Sequence, residues 1–202
     1  MTTAAEKLDL YKEHKKEYAA TKKPTMVEIK PAVYLGIEGR GGPDGEAFSE
    51  AIGALYGMAF TIKMTRKFAG KGDYAVCKLE ALWPEIANME KEKWPWELLI
   101  RTPEFIEAKD LEQAAAVLTK RGKGTGVERV RLRRLEEGVC VQALHVGAYD
   151  EEPRTIAQMQ ELSAQRGYEP AGAHHEIYLN DPRRIAPERL KTILRQPVKK
   201  RR

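Results

Sequence analysis

Hydrophobic residues recur along this chain at two different spacings, which predict a mixture of helices and strands. Between Glu46 and about Phe68, apolar side chains such as Phe48, Ile52 and Leu55 recur every three or four residues, as on the buried face of a helix. Similar stretches predict further helices at 5–19, 111–120, 153–165 and 187–194. Apolar runs predict strands at 27–29, 33–38, 74–83, 96–101, 130–135, 139–145 and 176–179. The expected fold class is therefore α+β.

The order of these elements repeats in the two halves of the chain. A strand, a glycine-bearing loop and a helix follow one another at 33–68 and again at 140–165, which suggests two modules at roughly 26–110 and 127–198. Residues 1–25 would then form an N-terminal helical extension, and residues 199–202 a basic tail. A groove between two such modules is a usual place for a small-molecule site.

The strand around residue 176 carries the most informative pattern in the chain. Side chains alternate along a strand, so His174, Glu176 and Tyr178 share one face, while His175 and Ile177 share the other. A carboxylate in the middle of a strand is unfavourable unless solvent, a partner or a ligand satisfies it. Glu176 is therefore the first candidate functional residue.

Two explanations of Glu176 remain open at this point. It could be a structural carboxylate paired with an arginine such as Arg101 or Arg183. Alternatively it faces a cavity, where an apolar setting would raise its pKa and make it a usable general base. Glu97, in the strand that begins at Trp96, is the second carboxylate of interest, although it points away from the face of Trp96.

Composition places the chain among globular proteins and argues against two classes of partner. Hydrophobic residues make up 42% and charged residues 32% of the 202 positions, and no apolar run reaches the roughly 18 residues of a membrane span. The N-terminus lacks the apolar segment of a signal peptide, and Cys77 and Cys140 are far apart, so a reducing cytoplasm is expected. The net charge of +5 comes without a recognisable nucleic-acid-binding motif. A homodimer through the charged first helix is an open alternative.

The sequence argues against a metal, a phosphate-binding loop and a covalent nucleophile, so no cofactor is expected. His174 and His175 are adjacent in a strand and point to opposite faces, so they cannot ligate one ion. The glycine-rich run at 39–45 lacks the spacing of known phosphate-binding loops. Cys77 and Cys140 lie in apolar strand patterns, where a buried structural thiol is the ordinary case.

Aromatic residues provide a second functional signal. The residues concerned are Trp83, Trp94, Trp96, Tyr34, Tyr56, Tyr149 and Tyr178. Such side chains offer flat surface for a planar ligand, and a nearby carboxylate would favour a cation. The alternative is that these aromatic side chains simply fill the core.

Several stretches together resemble the GyrI-like small-molecule-binding family. They are Tyr34-Leu-Gly-Ile-Glu-Gly39, Trp96-Glu-Leu-Leu-Ile-Arg-Thr-Pro103, Glu137-Gly-Val-Cys-Val-Gln142, His145-Val-Gly-Ala-Tyr-Asp150, His174-His-Glu-Ile-Tyr-Leu-Asn-Asp-Pro-Arg-Arg184 and Lys191-Thr-Ile-Leu-Arg-Gln-Pro-Val198. They span nearly the whole chain, and the blocks that begin at His145 and His174 are fairly specific.

The resemblance implies a duplicated strand-helix-strand-strand module with two antiparallel sheets that form a ligand groove. Its relatives include effector domains of multidrug-responsive regulators, which hold lipophilic cations with an acidic residue and aromatics. Other relatives are hydrolases that open cyclopropanoid cyclohexadienones. The acidic residue of the family falls on Glu176, and the tyrosine of the H-x-G-x-Y block falls on Tyr149, beside Ala148 where proline is common.

Three functions follow from these observations. The first is binding of planar, lipophilic, often cationic aromatic molecules. The expected ligand-binding residues are Glu176, Tyr149, Trp96, Tyr34, Tyr56, Tyr178, His145 and Trp83. The second is cofactor-independent hydrolysis, with Glu176 as general base and Tyr149 as donor to the substrate oxygen. The third is an effector-sensing partner of a separate transcription regulator, because residues before Met26 allow only one helix.

Overall fold

The computed structural model describes residues 7–84 and 89–201. The α-helices are α1 (Leu10–Glu13), α2 (Lys15–Tyr18), α3 (Glu46–Phe68), α4 (Ala108–Lys120) and α5 (Glu152–Gln165). The strands are β1 (Thr25–Ile29), β2 (Ala32–Arg40), β3 (Leu79–Trp83), β4 (Pro95–Arg101), β5 (Arg131–Leu135), β6 (Gly138–Val146), β7 (Tyr168–Pro170), β8 (His174–Tyr178) and β9 (Lys191–Lys200). Short 3-10 turns lie at Lys91–Lys93, Val127–Arg129, Tyr149–Glu151 and Pro187–Arg189. The mixture of helices and antiparallel strands confirms the α+β class.

The chain divides into two compact units that are interleaved along the sequence. Unit 1 takes its described residues from Met1–His14, Ala32–Leu79 and Asn88–Leu135, and unit 2 from Lys15–Pro31, Glu80–Ala87 and Glu136–Arg202. The consecutive modules expected at 26–110 and 127–198 overlap these units only in part. The reason is that β1 and most of β3, from the first half of the chain, pair with β6 and β8 of the second half.

Unit 1 is built on the antiparallel strand order β4-β2-β5, with α3 and α4 packed together beside it. Helix α3 begins after Gly45 with an acidic residue in its first turn and has basic residues in its last, as the helix dipole favours. It ends before Gly70, whose φ of 68° is left-handed and suits glycine. Its buried face includes Phe48, Leu55 and Ile62, so the helical spacing in the sequence marks the core side correctly.

Unit 2 is built on the antiparallel order β1-β6-β9-β8-β3, with β7 paired to β9. Helix α5 packs against β6, β7 and β9. The buried core under this helix consists of Val141, Ala143, Met159, Leu194 and Val198. Strand β8 therefore lies between two neighbours, and this central position fixes the direction of its side chains.

The structure corrects four of the sequence-based expectations. The helix at 187–194 is wrong, because a single turn at Pro187–Arg189 leads into β9, where pairing with β6 and β8 overrides the helical spacing. The basic tail is also wrong in part, since Lys199 and Lys200 pair with β7. The helix at 5–19 is two single turns separated at His14. Of the strand at 74–83, only Leu79–Trp83 forms, because Tyr74 instead makes an isolated bridge to Leu8.

Two expected segments extend into residues outside the described part of the chain. These are the N-terminal extension, in its first six residues, and the basic tail, in its last residue. Among the described helices, none combines the length and the apolar character that crossing a membrane requires.

Candidate functional site

The candidate site is organised around Glu176 in the middle of β8. The Tyr178 hydroxyl donates a hydrogen bond of 2.6 Å to Glu176 Oε2, and His174 Nε2 lies 3.9 Å from the other carboxyl oxygen. His175 and Ile177 point the other way and are completely buried. The strand alternation expected from the sequence is thus present, and only 14% of the Glu176 side chain is exposed.

A second carboxyl group, Glu152, meets Glu176 from the first residue of α5. Its side chain is buried, and its Oε1 receives no hydrogen bond from a donor in the described residues. Burial and the neighbouring Glu176 raise the pKa of Glu152 to about 9, against the helix N-terminus, which favours the anion. Two buried carboxyls can hydrogen bond to each other only when one is protonated. We call these two residues the carboxyl pair.

The two members of the carboxyl pair have different surroundings. Burial raises the pKa of Glu176, although the hydrogen bond from Tyr178 and the positive charge of His175 oppose that rise. Glu152 lacks these donors in the described residues and keeps the proton. At neutral pH the pair therefore holds one proton, as expected for two acids that cannot both ionise in one buried site.

Tyrosine and tryptophan side chains surround the carboxyl pair. Tyr149 packs edge-on against Tyr178 with ring centroids 6.0 Å apart, and it is 40% exposed, so it faces solvent. Trp83 of β3 lies opposite His174 of β8 in the strand register, which brings its indole to the same face as Glu176. Burial and the charges of Glu152 and Glu176 raise the pKa of Tyr149 to about 12, so its hydroxyl keeps its proton at neutral pH.

His145 supports the loop that carries Tyr149. Its Nε2 donates to the Ala148 carbonyl at 3.0 Å, while its Nδ1 lies 3.0 Å from the Thr155 hydroxyl at the start of α5. Gly147 has a φ of 150°, which few other residues adopt. Ala148 has a φ of −70°, close to the value that proline imposes, so alanine here keeps a proline-compatible backbone.

A buried ionic network lies on the opposite face of β8. His175 Nδ1 and Nε2 each lie 2.9 Å from a carboxylate oxygen, of Glu137 and Glu80 respectively. Arg195 binds the second oxygen of Glu137 at 3.0 Å and also donates to Gln142. Burial alone would lower the pKa of His175, but the two carboxylates raise it to about 9. Opposite charges thus balance inside the network, which fixes the backbone that carries Glu176.

The positively charged side chain of His175 also keeps His174 neutral. Burial and the charge of His175 lower the pKa of His174 to about 4, so it carries no charge at neutral pH. No group of three or more His, Cys, Asp or Glu side chains within 7–84 and 89–201 is arranged to hold a metal ion. The side chains of the site supply one proton, two carboxyls and the hydroxyls of Tyr149 and Tyr178.

The remaining predicted residues belong to unit 1. Trp96 is buried edge-on against Phe48, and its ring lies where a side chain at Gly39 would clash at 2.1 Å. Tyr34 is buried in β2, and Tyr56 stacks on an exposed phenylalanine of α3. These three residues remain predictions as ligand contacts. The structure brings Glu176, Tyr178, Tyr149 and Trp83 together in unit 2, with His145 behind them.

Other carboxylates and arginines singled out in the sequence have partners of their own. Glu97 pairs with Arg133 at 3.2 Å, and Arg183 pairs with Asp181 at 2.8 Å. Trp94 donates its indole N–H to the Met89 carbonyl. Sequence reasoning missed Glu152, although its position three residues after Tyr149 places it in the same loop-to-helix segment.

Comparison with known proteins identifies the family. The GyrI-like small molecule binding domain matches residues 22–199, which is most of the chain. The chain belongs to the GyrI-like family. None of the curated proteins gives a significant match to this GyrI-like chain.

Solved structures from Listeria innocua are similar to this GyrI-like chain over almost its whole length. A hydrolase is 38% identical, with a TM-score of 0.88, and the match covers 96% of this chain and all (100%) of that one. An uncharacterized conserved protein from the same organism is 39% identical, with a TM-score of 0.90 and the same 96% and 100% coverage. The EcmrR C-terminal domain shares the fold at 11% identity, with a TM-score of 0.59 over 88% of this chain and 98% of that domain.

Proposed function

We propose that this GyrI-like chain is a cofactor-independent hydrolase that adds water to an electrophilic aromatic small molecule. The observation that carries the proposal is the carboxyl pair, two buried carboxyls of which Glu152 has its pKa raised to about 9, beside the partly exposed hydroxyl of Tyr149. In the proposal Glu152 holds the proton and Glu176 carries the negative charge. An ionised carboxylate in a desolvated site is a usable general base, and a protonated tyrosine is a usable donor. The similarity to a Listeria innocua hydrolase at 38% identity supports this class of reaction.

The substrate class is the one that the family resemblance implies, a cyclopropanoid cyclohexadienone. Glu176 takes a proton from water as the water oxygen bonds to the cyclopropane methylene carbon. The strained carbon–carbon bond breaks, and its electron pair moves through the ring to the dienone oxygen, which becomes a phenol. Tyr149 gives its proton to that oxygen, and proton transfer through water restores both side chains. The net change is addition of one water molecule.

The other residues of the site prepare Glu176 and Tyr149 for these roles. Tyr178 holds the Glu176 carboxylate in one orientation through its hydrogen bond, and Glu152 supplies a second one. His145 fixes the loop before Tyr149. Fixed donors of this kind need no reorganisation during the reaction, which is the usual source of electrostatic catalysis.

A turnover assay tests this function. The protein is mixed with a cyclopropanoid cyclohexadienone in ¹⁸O-labelled water, and product is followed by absorbance and mass. The proposal expects one labelled oxygen per product from the wild type and at least about a hundredfold slower reaction in Glu176→Gln, as for loss of a general base. The control is Glu161→Gln, an exposed carboxylate on α5 that should leave the rate unchanged. Undiminished turnover in Glu176→Gln would refute the mechanism.

A second candidate function is capture of a lipophilic cation without chemistry. It is favoured by one feature, a buried anion at Glu176 with the aromatic rings of Tyr149, Tyr178 and Trp83 around it. Ethidium, a planar cation, is a suitable probe. Tight binding of ethidium that Glu176→Gln weakens by about 1–3 kcal/mol, together with absence of turnover, would favour capture over hydrolysis.

A further inference from the structure

Helix α3 presents an apolar stripe to solvent that the candidate site does not use. Phe60, Met64 and Phe68 are 51%, 36% and 80% exposed. They recur at intervals of four residues and therefore share one face of the helix. Large apolar side chains that are exposed together commonly mark an interaction surface.

The same face continues toward the N-terminus of α3 with small and then acidic residues. Positions at alternating spacings of three and four form the seam, as in a coiled coil: Glu46, Glu50, Gly53, Gly57, Phe60, Met64 and Lys67. A side chain added at Gly53 would meet no described atom within 4 Å, and one at Gly57 would only touch Leu118 at 3.8 Å. The helix thus has two bulky apolar residues in one half of its seam and two open positions in the other half.

We propose that this face binds a second copy of the chain, with the two α3 helices packed antiparallel. In this arrangement Phe60 lies over Gly57 of the partner subunit, and Met64 lies over Gly53 of the partner subunit. Each bulky residue then fills the space above a glycine, in the manner of knobs packing into holes. The same residues make the contact in both directions, as two-fold symmetry requires.

Charge favours the antiparallel register over the parallel one. The acidic half of the seam, with Glu50, then meets the basic half of the partner subunit, with Lys67, twice in the dimer. A parallel pair would instead bring Lys67 against a second Lys67 and would align the two helix dipoles. Attraction at both ends therefore selects the orientation.

The size of the face predicts a weak dimer. A helix of 23 residues is about 34 Å long and about 10 Å wide, which offers on the order of a few hundred Å² of contact. Stable complexes usually bury about 800 Å² on each partner. Association through α3 should therefore depend on concentration, with monomer at low micromolar protein and dimer at submillimolar protein.

Sedimentation velocity across that concentration range tests the proposal. Gly53→Gln fills the space that Met64 of the partner subunit would occupy, so this variant should remain monomeric. Glutamine also has a higher helix propensity than glycine, so the variant should unfold at a temperature no lower than the wild type. The control is Ala157→Gln, which also places glutamine at an exposed small residue of a helix, here on α5, and which should dimerise normally. A wild type that is monomeric throughout, or a dimer that survives Gly53→Gln, would overturn the proposal.

A charge exchange tests the register itself. Glu50→Lys and Lys67→Glu should each weaken self-association about tenfold or more, because each homodimer then repeats a like-charge contact. An equimolar mixture of the two variants should restore dimer, since both contacts are again of opposite charge. Lys67 also forms an ion pair with Asp73 of its own chain at 3.0 Å. In Lys67→Glu, Asp73 still has its ion pair with Lys63 at 2.9 Å. Glu161→Lys is the control, and failure of the mixture to associate would contradict the antiparallel register.

Discussion

The carboxyl groups of Glu152, at the first residue of α5, and Glu176, in the middle of β8, meet in one buried site. Neither position is unusual by itself, because acids are common at helix N-termini and a strand can carry a polar face. Their meeting in a buried site is unusual, since two carboxylates so close cannot both be ionised at neutral pH. The pair thereby acquires an acid and a base from one residue type.

The two members of the carboxyl pair should respond differently to the same substitution. Glu152→Gln replaces a protonated acid by an amide that can still donate to Glu176, so this variant should keep most of the turnover at pH 7. Glu176→Gln removes the base and should abolish turnover. Steady-state rates of both variants measure the contrast, and equal losses in the two would contradict the assigned roles.

The pH dependence of turnover should follow the carboxyl pair. Activity rises as the first proton leaves the pair and falls toward pH 9 as Glu152 loses the second, because two adjacent charges disturb the site. Glu152→Gln cannot lose that proton, so the alkaline fall should move upward in pH. The pH–rate profiles of wild type and Glu152→Gln measure the shift. If the rate falls at the same alkaline pH in both proteins, the shared proton is contradicted.

Glu152 should also make the folded state less stable in alkali. Its pKa in the folded chain is about 9 against an ordinary 4.5, so its contribution is fully present below pH 4.5 and is lost as pH rises through 9. Glu152→Gln removes this ionisation and should raise the free energy of unfolding at pH 9 by about 1–3 kcal/mol relative to wild type, with little effect at pH 5. Urea unfolding at both pH values makes the comparison. A variant that is equally destabilised at both would show that Glu152 is merely structural.

Tyr149 and Tyr178 should separate catalysis from positioning. Tyr149→Phe removes the donor to the substrate oxygen and should lower kcat about a hundredfold or more with little change in stability, because its ring is partly exposed. Tyr178→Phe removes the 2.6 Å hydrogen bond to Glu176 and should shift the pH–rate profile instead. The pH–rate profiles of both variants distinguish the two effects. Identical profiles would contradict the assignment of Tyr149 as proton donor and Tyr178 as the residue that positions Glu176.

The loop before Tyr149 should be sensitive to its backbone conformation. Gly147→Ala forces alanine into a φ of 150°, which residues other than glycine rarely adopt, so the loop is strained and turnover should fall. Gly172→Ala is a matched control, because φ is 71° there and the nearest side-chain atoms are 3.8 Å away. The control should lose a similar amount of stability, about 1 kcal/mol, and no activity. Equal activity in both variants would mean that the loop does not position Tyr149.

The buried ionic network should make the folded state lose stability both at acid pH and at alkaline pH. Burial would raise the pKa of Glu137, but His175 and Arg195 lower it to about 2, so its contribution is lost as pH falls from 4.5 toward 2. The contribution of His175 is lost as pH rises through about 9. Glu137→Gln leaves buried Arg195 and His175 without their shared carboxylate and should cost about 3–5 kcal/mol at pH 7. Urea unfolding measures this, with exposed Glu136→Gln as control, and a loss equal to that of the control would refute the role of the network.

The part of the site that lies on β8 could be predicted from the sequence, because the alternation of side chains along a strand is a local property. The spacing of His174, Glu176 and Tyr178 predicts their common face, and the structure joins Tyr178 to Glu176 directly. The other half depends on tertiary packing. An acid followed by Pro153 at the start of a helix is an ordinary helix N-terminus, so nothing local indicates that Glu152 reaches β8.

Pairing between distant strands also explains the errors in the fold. Leu190, Ile193 and Leu194 have helical spacing, but β9 is paired to β6 on one side and to β8 on the other. Its residues 192–195 are all buried, so no alternation of buried and exposed positions marks it as a strand. The ionic network could not be predicted from the sequence either, because Glu80, Glu137 and Arg195 come from three different strands or their ends. His175 was expected on the core face, and it lies there, but as a charged member of a network.

Carbon-13 NMR of protein labelled at the glutamate carboxyl carbons shows directly whether Glu152 and Glu176 share one proton at neutral pH. Signals of the pair are assigned by their loss in Glu152→Gln and Glu176→Gln. We expect one of the two carbons at pH 7 to have the chemical shift of a protonated acid and to titrate only toward pH 9. Two carboxyl signals that both titrate near the ordinary glutamate value of 4.5 would show that no proton is shared, and the proposed acid–base site would fail with it.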